Sequence, residues 1–268
     1  MNTLLFEVKE NIGIITFNRP ERYNAINEQM LEEVIATIER VGNDHSIRGL
    51  ILTGAGDKAF CCGADFGKGE PGQKMKFANS DDAQIFQDGY RSWVPKVVIG
   101  LQNLRVPTIA ALNGYAVGMG CDTALACDIR IACENTKVAS IWIKRGFLPA
   151  ESGFYLLPRL VGLGRAAELI LSGRFVEAEE GERIGLYNRI VPAAALLTES
   201  IGMAQAFAKN PAGALKLAKM VMYRGLDMDL LAGLELAGAC QSILATSEDV
   251  KEAMNAWREK REPIFKGR

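Results

Sequence analysis

Apolar positions recur along this chain with two different periods, and the period changes from one stretch to the next. Short apolar runs at 4–9, 13–17, 47–53, 108–112, 128–132, 137–141 and 189–192, bounded by Gly, Asn, Asp or Pro, read as strands. Between them Met30, Leu31, Val34, Ile35, Ile38 and Val41 repeat in steps of three and four, which predicts an amphipathic helix over 28–41. Similar spacing predicts helices over 81–104, 153–161, 165–171 and 177–184, and Pro95 predicts a kink or break in the first of them. From 193 onward every segment is helical: 193–208, 211–224, 228–245 and 248–260. Repeated strand-then-helix order followed by helices alone predicts an α/β protein with a ββα core over 1–195 and a C-terminal helical region over 196–268.

The chain is organised around 106–128. Pro107 opens a buried strand, Asn113-Gly114 ends it, and Gly118-Met119-Gly120 allows a tight turn into a small, apolar helix over 121–127. The first amides of such a helix have no internal partner and sit at the positive end of its dipole, so they suit a developing oxyanion. A second glycine-rich loop, 54–65, follows the strand at 47–53 and supplies a possible second donor. Two amides converging on one carbonyl oxygen make an oxyanion hole, in which each donor contributes roughly 2.7–4 kcal/mol of transition-state stabilisation.

Several stretches carry a resemblance. Phe17-Asn18-Arg19-Pro20 with Asn24-Ala25-Ile26-Asn27, then Ala59-Phe60-Cys61-Cys62-Gly63-Ala64-Asp65, then Asn113 to Asp122, Ala126-Cys127-Asp128-Ile129-Arg130, Leu157-Pro158-Arg159-Leu160-Val161-Gly162 and Pro263-Ile264-Phe265-Lys266-Gly267 are similar, in order, to the crotonase (enoyl-CoA hydratase/isomerase) superfamily. The resemblance implies a spiral of ββα turns, assembly as a homotrimer or a hexamer of two trimers through the C-terminal helices, and a substrate that is an acyl-CoA thioester. Coenzyme A then enters as part of the substrate, with no tightly bound cofactor. Carried over by motif, the resemblance implies oxyanion donors at the Cys62 and Met119 amides, a CoA adenine pocket at Ala25, Ala64 and Asp65, and phosphate partners at Arg22, Lys58 and Lys266.

The acid–base positions depart from the family's hydratase pattern of two glutamates. The first falls at Asp122, one methylene shorter, and the second at Trp142, which cannot transfer a proton in that way. Family members that place a carboxylate later have it at the position of Ala150, and here Glu151 follows immediately. We therefore expect Asp122 and Glu151 to share the proton work while the Cys62 and Met119 amides stabilise an enolate; helix capping is the structural alternative for both carboxylates. Trp142, Phe86, Tyr90 and Trp93 are expected to line the acyl pocket. Besides hydration or double-bond isomerisation, the same residues leave open an acyl-CoA hydrolase in which Glu151 activates water, or a catalytically silent CoA-binding protein.

Composition narrows the chemistry. The chain has 268 residues, a net charge of −1 and interspersed charges, with no basic face for nucleic acid or a membrane surface. No apolar run reaches the roughly 18 residues needed to span a bilayer, and the first ten residues lack the pattern of a signal peptide, so a cytoplasmic protein is expected. The six cysteines lack C-x-x-C spacing and the single histidine, His45, sits in a polar turn. No metal site is expected, and the chemistry rests on carboxylates, amides, hydroxyls and water.

Overall fold

The computed structural model describes residues 3–67 and 82–267, without the side chains of Phe86 and Val94. The first two strands, β1 (Leu4–Lys9) and β2 (Ile12–Phe17), pair antiparallel around Glu10 and Asn11, both at positive φ as a two-residue hairpin requires. Helix α1 (Glu28–Asn43) follows, capped by the Asn27 side chain, which accepts the Met30 amide at 2.9 Å. All six residues of its apolar stripe are buried.

Three units then repeat one plan, each giving a strand to each of two sheets. They are β3 (Gly49–Gly54), β4 (Ala59–Cys61) and α2 (Ala83–Asn103); β5 (Thr108–Leu112), β6 (Tyr115–Val117) and α3 (Met119–Ala126); and β7 (Ile129–Cys133), β8 (Lys137–Ala139) and α4 (Gly153–Val161). Next come α5 (Leu163–Ser172), β9 (Val176–Glu177), α6 (Ala178–Arg183) and β10 (Arg189–Val191). The larger sheet runs β1-β2-β3-β5-β7-β10 and the smaller β4-β6-β8-β9. Only the β1–β2 and β8–β9 pairs are antiparallel. This is the mixed α/β architecture of ββα units that the sequence predicts.

The larger sheet is buried on both faces, which is why its strands read as unbroken apolar runs. Leu50, Leu52, Ala110 and Leu112 face the main core with α1, while Ile51, Ile109, Ile131 and Cys133 face a second layer made by α7 (Leu196–Ala208) through Leu196 and Ala204. Helix α7 thus packs as part of the core. The helices beyond it are α8 (Ala212–Gly225), α9 (Leu230–Ala245) and α10 (Glu248–Glu259). Helix α8 is tied to the core by Lys219, whose buried ammonium donates to Asp128 Oδ2 at 2.7 Å and to the Leu101 and Val106 carbonyls. Among the described residues, no single helix is long and apolar enough to cross a membrane.

Four local expectations change. The loop expected over 54–65 contains β4, and β6 follows Gly114, because strands this short carry no readable period. The strand expected over 137–141 stops at Ala139 and turns into a 3-10 segment, Ile141–Arg145. Glu177 ends β9, so the helix begins at Ala178. Helix α2 continues through Pro95 without a break; the carbonyl that loses its partner belongs to Arg91, an exposed residue. The stretch 66–80, rich in Gly, Lys and small polar residues and expected from its sequence to be a loop, lies almost wholly outside the described residues.

Candidate active site

The site lies where β4 and β6, parallel neighbours, reach their C-terminal ends side by side. Gly63 brings the loop after β4 against the start of α3. Its φ is +88°, and a Cβ there would fall 2.7 Å from the Val117 carbonyl and 3.3 Å from the Met119 amide, so the approach needs glycine. Met119 is the first residue of α3, and its N–H has no partner within the helix.

The Cys62 amide is not left open as the resemblance implies. The Cys62 amide is occupied, donating to the Tyr23 carbonyl at 3.0 Å. Further on, Ile26 donates to the Gly63 carbonyl at 2.7 Å and accepts from the Asp65 amide at 2.9 Å, making a parallel bridge centred on Ala64. In such a bridge the central residue turns its own N–H to the opposite side. The Ala64 amide therefore takes no part in the bridge. The Cys62 thiol is pushed up to about 11 by burial and stays neutral, which removes it as a thiolate nucleophile.

Asp122 stands one turn along α3 from Met119 and is fully buried. Its Oδ2 accepts the Trp142 indole N–H at 3.0 Å, and its carboxyl abuts Gly153 at the start of α4, where a Cβ would come within 2.6 Å of Oδ1. Glu151 approaches it from the segment before α4. The two carboxyls lie close enough for each to shift the other's titration, and Asp122 Oδ1 and Glu151 Oε2 are both buried without an aligned hydrogen-bond partner among the described residues. Burial raises Asp122 to about 6, held there by hydrogen bonds from Glu151, Trp142 and Gly153. Burial and the adjacent Asp122 charge raise Glu151 to about 9. Near neutral pH the pair therefore carries one proton, on Glu151.

Beyond the pair opens a cleft of about 570 Å³, lined by Tyr90, Trp142, Phe147, Leu148, Ala150 and Glu151 among others. Tyr90 donates its hydroxyl to the Ala150 carbonyl. The Phe86 side chain lies outside the described residues, and Trp93 packs half-buried against the core. On the other side of Ala64, Asp65 is buried and held by Arg19 at 2.9 Å and Arg22 at 3.5 Å, and the Ala25 carbonyl accepts from Arg19 at 2.5 Å. Ala25, Ala64, Asp65 and Arg22 therefore form one cluster. Lys58 is exposed at the start of β4, before the strand that leads to the site. Lys266 is placed elsewhere: its amide donates to Asp249 at 2.7 Å, pinning the C-terminal segment to α10, so within this chain it does not join the Arg22–Asp65 cluster. Sequence spacing gave no signal for Ser152 or Gly153, which contact Asp122 only through the fold.

The sequence model of the enoyl-CoA hydratase/isomerase family matches residues 7–268. The chain belongs to that family. It is an enzyme of the enoyl-CoA hydratase/isomerase type, and its architecture is the crotonase fold. It is 38% identical over 263 residues to a protein of Mycobacterium tuberculosis named as a probable enoyl-CoA hydratase, covering 98% of this chain and 97% of that one. It is 35% identical over 261 residues to a short-chain-enoyl-CoA hydratase of Clostridium acetobutylicum, covering 97% and 96%. The crystal structure of an enoyl-CoA hydratase from Bacillus anthracis superposes with a TM-score of 0.90 at 31% identity, covering 99% of this chain and all of that one. In this member Trp142 is hydrogen-bonded to Asp122, and the Glu151 carboxyl lies beside the same aspartate.

Proposed function

We propose that this enzyme adds water to a 2-enoyl-CoA, or moves the double bond of an enoyl-CoA, through a thioester enolate held by the Ala64 and Met119 amides. The observation that carries the reading is the Asp122–Glu151 pair, one proton between two buried carboxyls, set one helical turn from the Met119 amide. In the hydration, Asp122 takes a proton from water as the water oxygen bonds to C3. The electron pair of the double bond moves onto the thioester oxygen, and the Glu151 proton passes to C2 as the carbonyl re-forms. Asp122 is then protonated and Glu151 ionised, and transfer between the touching carboxyls restores the starting state. In the isomerisation, Asp122 removes a C2 proton and Glu151 protonates C4. General acid and base together are worth about 10²- to 10⁴-fold each in such steps.

The substrate reading takes CoA along the Ala25, Ala64 and Arg22 cluster, with the acyl group in the Tyr90–Trp142 cleft. Self-association into a trimer or hexamer forms part of the same proposal. It is supported by large apolar side chains left exposed on α8 to α10, including Met222, Leu230, Leu231, Leu234, Ile243 and Trp257. Six free thiols support a reducing, cytoplasmic setting. The deciding experiment is mass spectrometry of the protein with saturated, 2-enoyl, 3-enoyl and aromatic acyl-CoAs in ordinary and deuterated water. We expect gain of water, or deuterium uptake without it, and loss of both in Asp122→Asn and Glu151→Gln. Release of free CoA would replace the reading with a hydrolase, and binding with no turnover would replace it with a silent CoA-binding protein.

A further inference from the structure

Glu151 sits in a segment without regular structure between the 3-10 turn at Ile141–Arg145 and α4. An acid that must stay against Asp122 needs more than its own backbone to hold it, because a misplacement of about 1 Å can cost on the order of 100-fold in rate. The residues on either side of Glu151 are both tied down, to different helices. The Ala150 carbonyl accepts the Tyr90 hydroxyl from α2. Ser152 Oγ donates to the Asp122 carbonyl in α3 at 2.9 Å.

The Ser152 bond is informative because of what it replaces. Ser152 is the N-cap residue of α4, yet its side chain makes no capping bond to that helix. A serine cap is typically worth about 1 kcal/mol to a helix. Here the buried hydroxyl goes instead to the main chain of the very residue whose carboxyl faces Glu151. Tyr90 is similarly committed: although it lines the acyl cleft, its O–H points to the Ala150 carbonyl, and burial raises the phenol to about 12, so it keeps that proton.

We propose that Tyr90 and Ser152 are positioning residues that clamp the Glu151 segment from both sides and hold its carboxyl against Asp122. The inference rests on the Asp122–Glu151 reading of the site. Around the pair, Trp142 and the Gly153 amide donate to Asp122, and the titratable groups facing it among the described residues are Tyr90 from α2 and Cys121 from α3, both raised by burial and by the pair's charge.

The test is steady-state kinetics and pH–rate profiles of Tyr90→Phe, Ser152→Ala, Ser152→Thr and Glu151→Gln on the enoyl-CoA that the screen identifies. Tyr90→Phe and Ser152→Ala should each lower kcat by about 10- to 100-fold with KM within about twofold. They should also move the basic limb of the profile to lower pH, as Glu151 separates from Asp122. Ser152→Thr, which keeps the hydroxyl, should restore both. A parental kcat and pH profile in Tyr90→Phe, or a change in KM alone, would overturn the clamp while Glu151→Gln stays inactive. Parental turnover in Glu151→Gln would instead remove the reading of the pair itself. If Ser152→Ala fails to fold, Tyr90→Phe alone decides, since it deletes one hydroxyl from a half-buried ring.

Discussion

Trp142 donates its indole N–H to the Asp122 carboxylate at 3.0 Å, from the position where the family's hydratases carry their second glutamate. The indole is a fixed donor and cannot pass on a proton as a carboxyl does. Trp142 and the start of α4 stabilise the ionised form of Asp122, and the proton of the pair falls to Glu151.

Trp142→Phe tests that division, because it keeps a large ring and removes the N–H. A hydrogen bond to a charged group is worth about 1.5–3 kcal/mol. Asp122 should therefore rise by about one to two pH units. The acid limb of the pH–rate profile should move up with it, and an unmoved limb would show that Trp142 only packs.

The parent enzyme should show a bell-shaped pH–rate profile. Activity needs Asp122 ionised and Glu151 protonated, so it should fall as pH drops through about 6 and again as pH rises through about 9. Glu151→Gln, which cannot donate that proton, should be inactive across the whole range.

Stability should follow the Glu151 proton in the same sense as activity. Its carboxyl is raised in the folded chain from an ordinary value of 4.5 to about 9, chiefly by burial. Stability from this group is complete below the ordinary value and is lost as pH rises through the folded one. Thermal unfolding at a series of pH values should show Glu151→Gln gaining on the parent from about pH 4.5 to about pH 9; a gap that does not change with pH would contradict the assigned shift.

Away from the site, Lys219 joins α8 to the core through a buried ion pair with Asp128, which also accepts the Tyr223 hydroxyl at 2.8 Å. Lys219→Met leaves the Asp128 charge buried and short of a partner, and should cost about 3–5 kcal/mol. Hydrogen exchange should show α8 opening first. A loss below about 1 kcal/mol by denaturant unfolding would mean that apolar contacts alone hold α8.

The amino-acid sequence by itself determined the elements whose burial leaves a period: α1 with its six-residue stripe, the buried runs of β2, β3, β5 and β7, and the turn that exposes the Met119 amide. It also gave Asp122 and Glu151 as candidates, through the resemblance of their surrounding motifs to the family. Only the tertiary structure decided what depends on pairs distant in the chain. The second sheet is built from strands of two or three residues, below any periodic signal. Which amides of the loop after β4 are occupied depends on Tyr23 and Ile26, some forty residues earlier, whose carbonyls take Cys62 and Asp65. The meeting of Asp122 and Glu151, the donors around them and the separation of Lys266 from the Arg22–Asp65 cluster likewise follow from packing. Local sequence sets backbone conformation and burial preference, whereas a site is a set of distances between elements, and those are fixed only when the core closes.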